Sequence, residues 1–117
     1  MVEEPDGGSG ELLGQIRDAF VGGDWNKAIS LFDRLRMAKA NRAQRVEATC
    51  LAVRALASSG QRRRARELIK DLDGKVYKKP VHYEFLAYAY LELKQYANAA
   101  KACERAHTLR VAEQAKT

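Results

Sequence analysis

PVHYEFLAYAYLELKQYANAAKACERAHTL, residues 80–109, decides the fold. Pro80 suits the first position of a helix, where its missing N–H does no harm. Tyr83, Leu86, Ala87 and Tyr90 follow at offsets of three and four, the spacing of one helix face. Lys94-Gln95 makes a corner, and Ala99, Ala102 and Ala106 then return at helical spacing. Small residues stand where two helices would touch most closely, and aromatics where they would lock together. The stretch therefore reads as a tight helical hairpin.

Working outward, the same grammar covers the rest of the chain. Helices are expected over 11–21, 25–38, 46–57, 61–72, 80–93 and 96–112. The first carries Leu12, Leu13, Ile16, Ala19 and Phe20, and the second Ala28, Ile29, Leu31, Phe32 and Leu35. Gly22-Gly23-Asp24 and Ser58-Ser59-Gly60 break the pattern, because glycine suits a helix end and Asp24 can cap the next helix. The polar segment 39–45 and the basic segment 75–79 are expected as connectors. The glycine-rich, acidic residues 1–10 have no apolar signal-peptide region and are expected as a disordered lead-in, with 114–117 as a frayed tail.

Six helices in three pairs invite a test for internal repetition. Ala28, Ala65 and Ala99 stand 37 and 34 residues apart. In that register the corner residues are Gly23, Gly60 and Lys94, and the bulky positions that follow are Trp25, Arg62 and Tyr96. Nine residues before each alanine stand Ala19, Leu56 and Tyr90, and four beyond it Phe32, Ile69 and Cys103. This pattern resembles the tetratricopeptide repeat (TPR) family, whose helix-turn-helix unit is about 34 residues long. The resemblance covers copies at about 9–42, 46–79 and 80–113. It is fullest in the third and departs in the second, where Arg62 replaces the usual aromatic. It implies an all-α fold of six antiparallel helices, stacked as a right-handed α-solenoid in a single domain over 11–113. One helical pair cannot bury its apolar face alone, so its neighbours must cover it.

Composition supports a helix-rich globular chain and narrows its chemistry. Of 117 residues, 46% are hydrophobic and 31% charged, and prolines occur only at Pro5 and Pro80. No apolar run reaches the roughly 18 residues of a membrane span. Cys50 and Cys103 lie among apolar neighbours in helical patterns and do not make a disulfide framework; both are expected as small buried hydrophobes in a reducing, cytoplasmic setting. His82 and His107 lack metal-ligand spacing with other Cys, Asp or Glu, and no phosphate loop or nucleophile elbow occurs. No enzyme, metal or cofactor is expected.

Charge is unevenly distributed. Residues 1–33 carry two basic and seven acidic side chains, whereas residues 34–79 carry fourteen basic and four acidic. Within that basic zone, Arg62, Arg63, Arg64 and Arg66 with Lys75, Lys78 and Lys79 form a candidate patch for RNA, an acidic protein or another anionic surface.

The TPR resemblance also implies a binding surface, along the first helix of each pair. Copy one supplies Leu13, Arg17, Phe20 and Val21, copy two Glu47, Cys50, Arg54 and Ala57, and copy three Val81, Glu84, Tyr88 and Leu91. A mixed groove of this kind suits a partner's peptide or amphipathic helix. Family members that clamp a C-terminal carboxylate of Hsp90 or Hsp70 need Lys and Asn in copy one, Asn in copy two and Lys and Arg in copy three. This chain has Leu13, Arg17, Leu51, Val81 and Phe85 there, so the clamp is absent. Three-repeat proteins of this length are similar to the cytoplasmic chaperones of bacterial type III secretion needle subunits, which hold an amphipathic helix in the groove. The expected function is thus a non-enzymatic protein-binding adaptor or small chaperone. The alternatives are a self-associating scaffold, joined through an uncovered sixth helix at Ala102, Ala106 and Leu109, and RNA binding through the basic zone.

Overall fold

The structure is a computed structural model and describes residues 5–116. These residues form six α-helices: α1 Pro5–Val21, α2 Trp25–Met37, α3 Arg42–Ser58, α4 Arg62–Ile69, α5 Pro80–Glu92 and α6 Tyr96–Ala115. No strand occurs among them, and no helix is long and apolar enough to cross a membrane. Consecutive helices pack as the hairpins α1–α2, α3–α4 and α5–α6. The first members of the hairpins also touch in series, α1 on α3 and α3 on α5. The shortest dimension, 24 Å, is the thickness of two helix layers.

The three hairpin corners share one backbone geometry. Gly23, Gly60 and Lys94 all take left-handed φ, at 76°, 86° and 60°. The next N–H in each case donates back across the corner: Asp24 to the Ala19 carbonyl at 2.9 Å, Gln61 to Leu56 at 2.7 Å, Gln95 to Tyr90 at 2.9 Å. The corner N–H groups themselves donate to Phe20, Ala57 and Leu91, which completes a Schellman motif at each helix end. Asp24, Gln61 and Gln95 then open the next helix with ψ of 77°, 55° and 72°. Their carbonyls accept from Ala28, Ala65 and Ala99, each at 3.0 Å. All three alanines are buried, as close helix approach requires.

α3 is the centre of the molecule, packed by α1, α2, α4 and α5. Its buried residues, including Val46, Ala48, Ala52, Val53, Ala55 and Leu56, therefore lie on nearly every side of it. It starts four residues earlier than expected. Asn41 accepts from the Gln44 N–H at 2.8 Å while Gln44 Oε1 accepts from the Asn41 N–H at 3.1 Å, a reciprocal capping box that satisfies two orphan donors.

Other boundaries differ from the sequence reading for equally local reasons. Residues 5–10, expected in a disordered lead-in, are the first turns of α1; residues 1–4 lie outside the described residues. Ser9 is fully buried and donates to Gln44 Oε1 at 2.9 Å, so contact with the α3 cap holds the glycine-rich start. α6 runs on to Ala115, through the first half of the expected frayed tail; Thr117 lies outside the description. Its apolar side is not open, since Ala102 and Ala106 are buried and Leu109 is half-buried against the core.

α4 stops at Ile69 rather than 72, and tight turns carry the chain to Gly74. The segment expected as a plain basic loop contains Tyr77, which is buried. The Tyr77 N–H donates to the Tyr83 hydroxyl oxygen at 3.0 Å, and the Tyr77 hydroxyl donates to the Leu72 carbonyl at 3.1 Å. Leu72 and Tyr77 thus join the core between α4 and α5 in place of another helical turn.

Candidate functional site

α1, α3 and α5 together form the face predicted to bind. Its centre is Arg54 of α3. The guanidinium carbon lies 4.6 Å from the Phe20 ring centre on α1 and 5.3 Å from that of Tyr88 on α5, so one cation is sandwiched between aromatics of both neighbouring helices. Each such contact contributes about 0.5–1 kcal/mol where partly exposed. Glu92 of α5 approaches Arg54 Nε at 3.7 Å, an ion pair too long for a hydrogen bond, and among the described residues Nε has no hydrogen-bond partner.

Two further charges on this face, Arg17 and Glu84, are paired within the molecule. Arg17 forks onto Glu47 at 2.5 and 2.6 Å and ties α1 to α3. Its hydrogen bond to Glu47 pushes the guanidinium pKa further above its usual value. Glu84 receives both arms of Arg110 at 2.7 Å, which links α5 to α6. A cleft of about 570 Å³ opens between the starts of α1, α3 and α5, lined by Leu13, Arg17, Glu47, Lys79, Val81 and Phe85 among others.

α5 supplies the apolar part. Val81, Tyr88 and Leu91 are 37%, 56% and 47% exposed, and half-buried Phe85 completes their stripe. On the opposite side the same helix buries Tyr83, Leu86 and Tyr90. A 13-residue helix that is apolar all round would ordinarily be enclosed on every side; here one side faces outward.

Not every expected groove residue reaches that surface. Leu13, 5% exposed, and Cys50, 1% exposed, belong to the core, as does Ala57. Burial pushes the Cys50 thiol up to about 12, so it stays protonated and inert. Cys103, expected to be buried as well, is exposed on α6. Val21 stands exposed at the end of α1. Arg17, Phe20, Arg54, Val81, Glu84, Tyr88 and Leu91 are accessible at least in part. Phe85 and Glu92 complete the face; their positions three residues before and four residues after Tyr88 place them on the same α5 stripe.

The basic patch is dispersed by the fold. Arg62 donates to the Glu92 carbonyl at 3.0 Å, which satisfies an end carbonyl of α5 and explains why an arginine serves where Trp25 and Tyr96 stand in the other corners. Arg64 hydrogen-bonds Gln61 and lines a cleft with Phe32 and Arg36. Arg63 and Arg66 line another with Asp73 and Gln95. Lys75 faces a third cavity, Lys79 the α1–α3–α5 cleft, and Lys78 is exposed. These residues line different surfaces instead of one groove.

The two histidines lie apart in the sequence, His82 in the first turn of α5 and His107 exposed on α6. His82 packs near the rings of Tyr77 and Phe85, and burial together with Lys79 and Arg42 lowers its pKa. Among the described residues no three His, Cys, Asp or Glu are grouped to hold a metal ion. No family model, curated protein or solved structure matches the chain.

Proposed function

We propose that this chain is a protein-binding module of three stacked TPR-like repeats, arranged as a right-handed α-solenoid. It takes a partner's peptide or amphipathic helix across α1, α3 and α5. The repeat reading rests on the three matching corners, whose register of Gly23, Gly60 and Lys94 agrees with the alanine spacing. The binding reading is carried by one observation: the Val81–Phe85–Tyr88–Leu91 stripe faces outward beside the Phe20–Arg54–Tyr88 stack. An amphipathic helix laid along that stripe buries apolar side chains against it, with Arg54 as a central polar anchor. No catalytic step is assigned to any residue, and the free cysteines fit a reducing cytoplasmic setting.

The test is paired affinity capture from the native host, with the wild-type chain and the double variant Tyr88→Ala/Leu91→Ser. Both residues are half exposed, so the fold should survive, as circular dichroism will verify. A protein retained by the wild type and lost from the variant supports the proposal. Equal recovery by both sinks it, as does recovery of RNA or of the chain itself in place of another protein.

A further inference from the structure

A second cavity, of about 380 Å³, lies on the other side of α5 from the groove. Tyr83, Leu86 and Tyr90 of α5 give it an apolar wall, and α6 adds Asn98, Lys101 and Arg105. The turn segment after α4 closes it with Asp73 and Lys75. Lys101 and Arg105, one helical turn apart, line the same space as Lys75. Like charges at that spacing repel each other mildly, yet neither Lys75 nor Lys101 forms an ion pair among the described residues. Arg105 lies over the Tyr83 ring at 5.9 Å. The one carboxylate present, Asp73, accepts a short hydrogen bond from the Tyr90 hydroxyl. The Tyr90 pKa is raised by burial and by that bond, so the phenol remains a donor and ties Asp73 to the wall.

We infer that this cavity binds a small organic anion, its phosphate or carboxylate group held by Lys75, Lys101 and Arg105 and its apolar body set against the narrow exposed edges of Tyr83, Leu86 and Tyr90. The volume falls within the usual range for small-ligand sites, which combine an apolar lining with a few convergent polar groups. Three cations against one carboxylate leave the lining at +2, and the two unpaired lysines are the groups an anion would neutralise. Tyr88, Val81 and Leu91 play no part, so this site stands or falls separately from the groove.

Phenyl phosphate is the probe, titrated into the full-length 15N-labelled chain, with inorganic phosphate and phenol as separate arms. Saturable amide shifts confined to residues 72–76, 83–90 and 98–105, tighter for phenyl phosphate than for either fragment, support the site. Lys101→Glu/Arg105→Glu turns the lining to −2 and should weaken binding by about tenfold or more, while Tyr88→Ala leaves it unchanged. Both α6 residues are exposed; should the pair disturb folding, Lys75→Glu gives the same readout from the opposite wall. Shifts spread over all surface lysines without saturation, no shifts at all, or equal affinity in the charge-reversed variant would overturn the assignment. Phosphate binding as tightly as phenyl phosphate would remove the apolar half of it.

Discussion

Replacing Lys94 by glycine isolates the cost of one backbone conformation. Lys94 sits at φ 60°, where Gly23 and Gly60 occupy the equivalent corners. Its side chain is exposed and forms no ion pair among the described residues, so Lys94→Gly removes no such bond. A left-handed conformation costs a side-chain-bearing residue roughly 1–2 kcal/mol. Against that, glycine adds roughly 0.5–1 kcal/mol of conformational entropy to be lost on folding. The net is a stabilisation of about 0.5–1 kcal/mol. With an unfolding entropy of about 2.1 cal/mol/K per residue over about 112 residues, that shifts Tm upward by about 2–4 °C. The mirror experiment is Gly60→Ala, at φ 86° with open space around the new Cβ. It should lose a similar amount for the opposite reason. Urea titrations followed by far-UV circular dichroism, with Tm from thermal scans, measure both. If Lys94→Gly is neutral or destabilising while Gly60→Ala is tolerated, the corners are not equivalent and the repeat loses its best structural support.

Other perturbations address separate features of the molecule. Gly14 lies inside α1 with nothing within 4 Å of an added Cβ, so Gly14→Ala should raise stability by about 0.5–1 kcal/mol in the same urea assay. A thiol reagent should modify exposed Cys103 rapidly and Cys50 only on unfolding, since Cys50 is buried and its thiol is pushed up to about 12; mass spectrometry of the native protein should find one fast adduct. His82 is depressed below 6.5 in the folded state, so the unfolded chain binds more protons once the pH falls through that value. The contribution is fully present above 6.5 and is lost on acidification through the folded value, so the urea midpoint should drop there and His82→Gln should flatten the drop.

The hairpin register is legible because it is written in local chemistry. Corner residues, alanines at the crossings and apolar stripes at helical spacing all act within a few residues of each other. The start of α3 is missed by four residues, because Asn41 and Gln44, whose spacing makes the capping box, stand in a polar segment that reads as connector. The start of α1 is missed as well: Gly7, Gly8 and Gly10 argue against helix, and what holds them is the Ser9–Gln44 contact, 35 residues away in sequence. Leu13 and Cys50 read as groove residues but lie in the core, because neighbouring helix positions differ by about 100° and a small error in rotation exchanges the two faces. α3 offers little help there, since it is packed from four sides and is apolar on most of them. The Arg54 stack depends on the separations of three helices, which no single stretch encodes.

The central claim is that a partner protein lies against α1, α3 and α5, and site-specific photo-crosslinking in the native host tests it whatever that partner is. Benzoylphenylalanine is placed at Tyr88 or Leu91 on the proposed face, and at Arg63 or Lys101 away from it. A discrete adduct to one other protein is expected from the first two positions and none from the second two. Adducts from Arg63 or Lys101 alone, or adducts from Tyr88 and Leu91 consisting only of a second copy of the chain, would be incompatible with the claim.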